Sequence, residues 1–492
     1  MDETASNTIM ITLFLASYLL IKITRKRPKN LPPTPLSLPI IGHLHLLKKP
    51  LHQALNNLSQ KYGPIISLRL GSHRAISISS ASAAEECFTK NGAVFANRPH
   101  SLFGKYVSYN NTGLVLEDYN DHYRNLRRIV TVEVLSSNRL NKFLSIRADE
   151  VKFLLGRLYR VSCEGFARVE LRPLLMDLAS NIIMRMVVGK RYYGDETNAE
   201  EGRRFRKIVT DFEECFEMIY IGDVIPSLKW TDFGRSAKKY MNLGQRFDSF
   251  LQGLVDEHHM DKNRDTMINH LLAMQESDPH SYSDEIIKGL IQVLFLGGAE
   301  TSGVTIEWAF INLLNNPRVL KKLKEEIDTK IGEDRLIEES DLPNLSYLQN
   351  VISENFRLCP VSPVLAHKSS EDCTIGGFDV PANTMLFANA WAMHRDPTVW
   401  DDPTSFKPER FENNGDQRFK LLAFGQGRRS CPGEGLAIRT INLTLGSLIQ
   451  CFEWERVDGQ EIDTRVKVTS VMIKAEPLQV ICKPRPILHK LF

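Results

Sequence analysis

Phe424-Gly425-Gln426-Gly427-Arg428-Arg429-Ser430-Cys431-Pro432-Gly433 sets one cysteine where a glycine-rich stretch turns into an apolar run. Gly425 and Gly427 lack a Cβ, so the backbone bends tightly there and lets a flat ligand approach. Arg429 carries a planar guanidinium two residues before the sulfur, suited to a bidentate grip on a carboxylate. Pro432 and Gly433 open a helix expected from Leu436 to Trp454, which puts Cys431 near a helix N-terminus whose amides and dipole favour a thiolate. A lone cysteine is more often a buried core residue. The whole pattern, Phe-x-x-Gly-x-Arg-x-Cys-x-Gly, argues for a metal ligand instead.

That pattern is similar to the haem-binding signature of the cytochrome P-450 superfamily. The resemblance implies heme b (protohaem IX) with Cys431 as the axial ligand of its iron, and Phe424, Gly425 and Arg429 among the residues that hold it. A thiolate on haem iron donates electron density that favours O–O cleavage. Length alone would suggest about two to four domains. The resemblance implies one large, mainly α unit with a small β-rich lobe, preceded by a membrane anchor helix.

Other stretches test the same idea. A long helix is expected from Ser283 or Asp284 to Asn315: Ser283 is a suitable N-cap, Asp284 and Glu285 suit the positive helix end, and Pro317 lies past the stop. Leu290 to Leu296 is apolar nearly all round, so the helix should cross the core. Gly297-Gly298-Ala299-Glu300-Thr301-Ser302 then weakens it, by about 1 kcal/mol per glycine, and permits a local widening of the backbone. An acid beside a threonine there can relay protons, Thr301 donating and Glu300 resupplying. The stretch resembles the oxygen-activation motif of the family. Glu354-Asn355-Phe356-Arg357 places opposite charges on one helix face at i, i+3. In the family such a pair is locked by an arginine of a Pro-Glu-Arg-Phe segment, here Arg410, and the network shapes the haem loop without doing chemistry.

Two departures from the family pattern concern the haem carboxylates. Arg127 matches a W-x-x-x-R motif, but Tyr123 stands where Trp is usual; its phenol can still donate a hydrogen bond. After the Glu354 helix the usual Pro-Arg is Ala366-His367, making His367 a neutral or titratable donor where a fixed cation is common.

The first residues look separate from the fold. Ile9 to Ile21 is an apolar run extendable from Ala5 to Thr24, followed by Lys22, Arg25, Lys26, Arg27 and Lys29. At ~1.5 Å per residue it barely spans a bilayer core of about 30 Å. Asp2 and Glu3 precede it, so a cleaved signal with a basic n-region fits poorly. Residues 1–24 are therefore expected to be a single-pass signal anchor in the endoplasmic reticulum membrane, with the bulk facing the cytosol by the positive-inside rule. Residues 25–45 form a basic and proline-rich hinge, in which Leu38, Ile40 and Ile41 suggest packing; 46–492 would be the catalytic domain.

The chain has 62 basic and 59 acidic residues, a net +3. Setting aside the five basic residues at the anchor leaves 57 against 59, or −2, which excludes a nucleic-acid surface. Eight cysteines without C-x-x-C spacing suit a reduced cytosolic domain lacking zinc sites.

The resemblance implies an NADPH- and O2-dependent monooxygenase. No flavin or dinucleotide fingerprint appears, so electrons must come from a membrane-bound NADPH-cytochrome P-450 reductase, with Arg124, Arg128, Lys420 and Arg428 offering a positive docking face. The wording of SSEDCTIGGFDVP (369–381), NAWAMHRDPTVWDDPTSFKPERF (389–411) and KAEPLQVICKPRP (474–486) looks like one plant microsomal family. It includes isoflavone hydroxylases, indole-glucosinolate hydroxylases and lignan methylenedioxy-bridge enzymes. By family position, substrate contacts fall in the loop His100 to Val115, the central helix from Leu294 to Thr301 with Leu294 and Gly298, the strand Val361 to Leu365, and the turn Thr469 to Ile473. Leu102, Phe103, Tyr106, Leu114, Val364, Leu365, Val471 and Met472 make these stretches mostly apolar, suiting a hydrophobic, planar guest. Hydroxylation of a flavonoid or isoflavone leads; methylenedioxy-bridge formation, an indole glucosinolate or terpenoid substrate, a reductase-free isomerase and a haem sensor are the alternatives.

Overall fold

The computed structural model describes residues 30–194, 199–217, 220–412, 420–468 and 471–492. The expected anchor lies outside them, as does the basic half of the hinge. The proline-rich half does pack, but through its backbone and prolines: Pro32 and Pro35 are buried, and Ser67 donates its amide to the Pro33 carbonyl at 2.8 Å. Leu38 and Ile40, expected to pack, are 43% and 68% exposed.

The main helices are α1 (Leu51–Tyr62), α2 (Leu102–Val107), α3 (Asp121–Arg128), α4 (Leu144–Ser162), α5 (Leu171–Val188), α6 (Ala199–Glu217), α7 (Arg235–Met260), α8 (Asp284–Asn315), α9 (Pro317–Lys330), α10 (Ser346–Leu358) and α11 (Glu434–Cys451). The strands are β1 (Ile65–Leu70), β2 (His73–Ile78), β3 (Ala167–Glu170), β4 (Leu365–Lys368), β5 (Cys373–Ile375), β6 (Phe378–Val380), β7 (Met385–Ala388), β8 (Phe452–Arg456), β9 (Val466–Val468), β10 (Met472–Lys474) and β11 (Gln479–Pro484).

The fold is mainly helical, built around α8. Ser283 caps that helix as expected, its hydroxyl accepting the Ile286 amide, and Pro317 starts α9 after Asn316. Among the described residues α8 is the one helix long and apolar enough to cross a membrane, but most of it is buried by its neighbours, so it is a core helix. Helices α5, α7, α10 and α11 all pack on it. Close approach of α5 is permitted by glycines: a Cβ at Gly298 would lie 2.7 Å from Ile183 Cδ1, and one at Gly303 would lie 2.9 Å from Met176 Sδ.

The β-rich part is small. A four-stranded sheet runs β1-β2-β7-β4, with β1 antiparallel to β2, β2 parallel to β7, and β7 antiparallel to β4. A second sheet runs β3-β11-β8. It corrects one expectation: α11 stops at Cys451, and Trp454 lies in β8 opposite Cys482 of β11. The reason is periodicity. Phe452 and Trp454 are buried while Glu453 and Glu455 alternate outward, a period of two that a strand satisfies and a helix does not.

Candidate active site

The cysteine loop is closed by its own backbone. Cys431 donates its amide to the Phe424 carbonyl at 2.7 Å, Gly425 to Leu422 at 3.0 Å and Ser430 to Gly427 at 3.1 Å. Both glycines sit in the left-handed region, at φ 68° and 69°, which disfavours any residue with a Cβ. Their surroundings differ. A Cβ at Gly427 would lie 2.3 Å from the Phe88 carbonyl oxygen, whereas one at Gly425 would meet nothing closer than 3.9 Å. The tight approach at Gly427 is thus to the chain's own backbone.

Cys431 is exposed, unlike the buried Cys87, Cys215, Cys359, Cys451 and Cys482. Its thiol is nonetheless walled by protein, and that desolvation pushes its pKa up; the Gly433 amide, the Arg127 guanidinium and the Glu434 amide pull down, while the Glu434 carboxylate raises it. The helix-end effect read from the sequence is therefore present but outweighed. A thiolate forms here when a cation takes the place of the proton.

Beside the loop three arginines converge. Arg429 donates to the carbonyls of Ala96, Leu114 and Glu117, and its guanidinium stacks 3.7 Å from the Tyr123 ring centroid. Arg127 donates to the carbonyl and hydroxyl of Ser430. Arg98, which the sequence reading missed, donates to the Ala366 carbonyl while its Nε has no partner. Burial, and then the neighbouring Arg429, pull the Arg98 pKa down to about 10. None of the three is in an ion pair among the described residues. Tyr123 is buried and gives its hydroxyl to the Arg428 carbonyl at 2.8 Å.

His367 is also buried, not a surface residue. Its Nδ1 lies 2.8 Å from the Phe95 carbonyl, which can only accept, so Nδ1 carries the proton. Burial, then Arg98, hold its pKa well below the usual value, so the ring is neutral and Nε2 is left without a proton to donate. The expected donor toward a carboxylate is instead a strut between β4 and the Phe95 turn.

On α8 the helix stays α-helical through Gly297–Ser302, without the expected widening. Hydroxyls brace it: Thr301 donates to the Gly297 carbonyl at 2.8 Å, Ser302 to Gly298 at 3.1 Å and Thr305 to Thr301 at 2.7 Å. Gly297 is exposed in the middle of a mostly buried helix, and a Cβ there would meet open space. It, rather than Gly298, faces open space. Glu300 and Thr301 are half-buried beside it.

The Glu354 network forms as expected. Glu354 and Arg357 are fully buried and joined by two bonds of 2.7 and 2.8 Å, and Arg410 Nε reaches Glu354 at 3.1 Å. Arg357 also donates to the carbonyls of His394, Pro403 and Ser405. His394 was not foreseen: its Nδ1 bonds the Arg357 carbonyl and its Nε2 accepts the Leu422 amide at 2.9 Å, tying α10 to the start of the cysteine loop.

A family model described as cytochrome P450 matches residues 32–482. This chain belongs to the cytochrome P450 family. It is 51% identical to cytochrome P450 81Q32 of Catharanthus roseus, covering 98% of this chain and 97% of that protein. It is 49% identical to an isoflavone 2'-hydroxylase of Glycyrrhiza echinata (96% and 95% covered) and to an isoflavone 3'-hydroxylase of Medicago truncatula (97% of each). A zebra fish cytochrome P450 solved with progesterone superposes with TM-score 0.77 at 26% identity, covering 89% of this chain and all of that one.

A cytochrome P450 is a haem monooxygenase that receives electrons from a reductase, and the residues of this one fit the group. Arg98, Arg127 and Arg429 supply half-buried positive charge outside any ion pair among the described residues, as two propionates require. Bound haem would supply reductive activation of O2 at its iron. Around this P450 centre the apolar lining is only partly as expected. Leu102, Tyr106, Val364 and Leu365 are half-buried. Phe103 is buried edge-on among Phe212, Phe216 and Tyr240, and Leu294 is also buried. Met472 is core, its carbonyl accepting Trp308 Nε1 at 2.6 Å. The stretch read as a loop from His100 carries α2, capped by Ser101. Leu114 serves Arg429 through its carbonyl, and the strand expected from Val361 starts only at Leu365.

Proposed function

We propose that this P450 hydroxylates a planar plant phenolic of the isoflavone or flavonoid type. The observation that carries the reading is near-full-length identity of 49% to the isoflavone hydroxylases. Cys431 holds the iron. Thr301, with its hydroxyl parked on the Gly297 carbonyl beside the open face, delivers the proton, and Glu300 resupplies it.

The same proposal includes the setting. Residues 1–24 anchor the chain in the endoplasmic reticulum membrane, 25–45 are the hinge, and 46–492 the cytosolic catalytic domain. Exposed Leu36, Ile40, Trp230 and Phe233 support contact of the described part with lipid. The reductase docks at the cysteine-loop side, where exposed Arg124 and Arg428 stack on one ring, Tyr119, at 5.5 and 5.1 Å, with Arg128 and Lys420 also exposed.

The test is turnover of isoflavones, flavonoids, lignans and indole glucosinolates in membranes carrying this protein and a reductase, with product structures determined. NADPH-dependent hydroxylation of an isoflavone or flavonoid is expected. A methylenedioxy product from a lignan, or turnover without NADPH, would overturn the reading.

A further inference from the structure

Asn355 is fully buried between the two members of the Glu354–Arg357 pair, yet it takes no part in that pair. Both ends of its amide are spent on α8. Nδ2 donates to the Thr305 carbonyl at 3.1 Å, and Oδ1 accepts from Asn312 Nδ2 at 2.9 Å. Thr305 in turn donates its hydroxyl to the Thr301 carbonyl at 2.7 Å, and Thr301 bonds Gly297. Residues 297, 301 and 305 recur at i, i+4, so the string runs along one helix face from Asn355 to the exposed glycine. The next residue of α10, Phe356, packs its ring edge-on against Phe424 at 5.0 Å. One step of α10 therefore touches α8, and the following step touches the first residue of the cysteine loop.

We propose that Asn355 is a positioning residue for the monooxygenase reaction: through Thr305 it sets the height of the Gly297–Thr301 segment relative to the cysteine loop. The proposal rests on the roles given above to Thr301 and Cys431. An amide is required because one side chain must donate to a carbonyl and accept from a second amide. A buried apolar substitute leaves the Asn312 amide with only its weak 3.6 Å bond to Cys359 Sγ, and a carboxylate sets like partial charges together at Thr305. A purely structural core asparagine would affect stability alone; a positioning one alters how reduction of O2 is partitioned.

The test uses the full chain in membranes with reductase, comparing parent, Asn355→Leu, Asn355→Asp and Asn312→Leu. In Asn355→Leu the thiolate spectrum of the reduced CO complex is retained, product per NADPH falls about 5-fold, peroxide rises, and amide hydrogen exchange over 297–305 speeds up in the purified protein. Asn312→Leu shows the same changes to a smaller extent. In Asn355→Asp, product per NADPH is close to parental at low pH, where the neutral carboxyl still donates to Thr305, and falls as pH rises. Unchanged partition and exchange in haem-loaded Asn355→Leu would overturn the proposal; should that variant load no haem, unchanged partition in Asn312→Leu would do so. Absence of any NADPH-dependent product in the parent would instead defeat the functional reading, while the exchange measurement still judges Asn355.

Discussion

The guanidinia of half-buried Arg98 and Arg429 are electrostatic neighbours beside the cysteine loop, and neither is in an ion pair among the described residues. Like charges side by side oppose folding, and Asp118 and Glu117 offset Arg429 only in part, its pKa staying below the usual value, so a bound anion would add stability. Arg98→Met should therefore speed haem loss about 10-fold or more, while the haem-free protein unfolds at the same or a higher temperature. Opposite signs in haem transfer and apo-protein melting are the check. A fall in both would make Arg98 a plain structural strut.

Cys431→Ser removes the residue assigned as the iron ligand. Catalysis is expected to vanish together with the thiolate band of the reduced CO complex, while far-ultraviolet circular dichroism is preserved. Survival of that band would mean that another group binds the iron.

Thr301→Ala should leave NADPH oxidation running while product per NADPH falls roughly 10-fold or more and peroxide accumulates. Thr301→Ser keeps the hydroxyl that bonds Gly297 and should stay near parental. Equal coupling in the alanine variant would remove Thr301 from proton delivery.

The two loop glycines separate conformation from contact. Gly425→Ala should cost about 1–2 kcal/mol from its left-handed backbone alone. Gly427→Ala should cost clearly more, because its Cβ would also meet the Phe88 carbonyl. Urea midpoints and haem content of the two variants give the comparison.

Buried neutral histidines make acid destabilising. Burial, aided by Arg395, holds His394 at about 3 and His52 at about 4. Below the unfolded value of about 6.5 the unfolded chain takes up protons that the native protein refuses, so stability falls with falling pH. The loss runs from pH ~6.5 down toward the folded values, at up to about 1.4 kcal/mol per pH unit for each such ring. Urea unfolding at pH 7 and pH 5 should show it, and His394→Gln should flatten the slope. An unaltered slope in that variant would exclude His394 as a source.

Much of this site was legible because its signals are local. Ser283 sits where the α8 cap must be, Glu354 and Arg357 share a face by spacing, and Gly425 and Gly427 mark the left-handed turns. Arg98 and His394 were invisible for the opposite reason. Their partners, Ala366 and Leu422, lie 268 and 28 residues away, and no periodicity announces them. Tyr123 and His367 were found by family position, but sequence could not say that one bonds a carbonyl of the loop and the other has spent its only N–H on Phe95.

The sequence by itself determined the start of the long core helix, the turns of the cysteine loop and the shared face of Glu354 and Arg357, because caps, glycine turns and helix faces are properties of neighbouring residues, and its family resemblance carried the class of chemistry. Only the tertiary structure decided that Gly297 and not Gly298 faces open space, that Trp454 belongs to a strand, and that Asn355 ties α8 to α10. Those outcomes depend on which distant surface each side chain meets, and burial and hydrogen bonding across such contacts are fixed when the elements pack together.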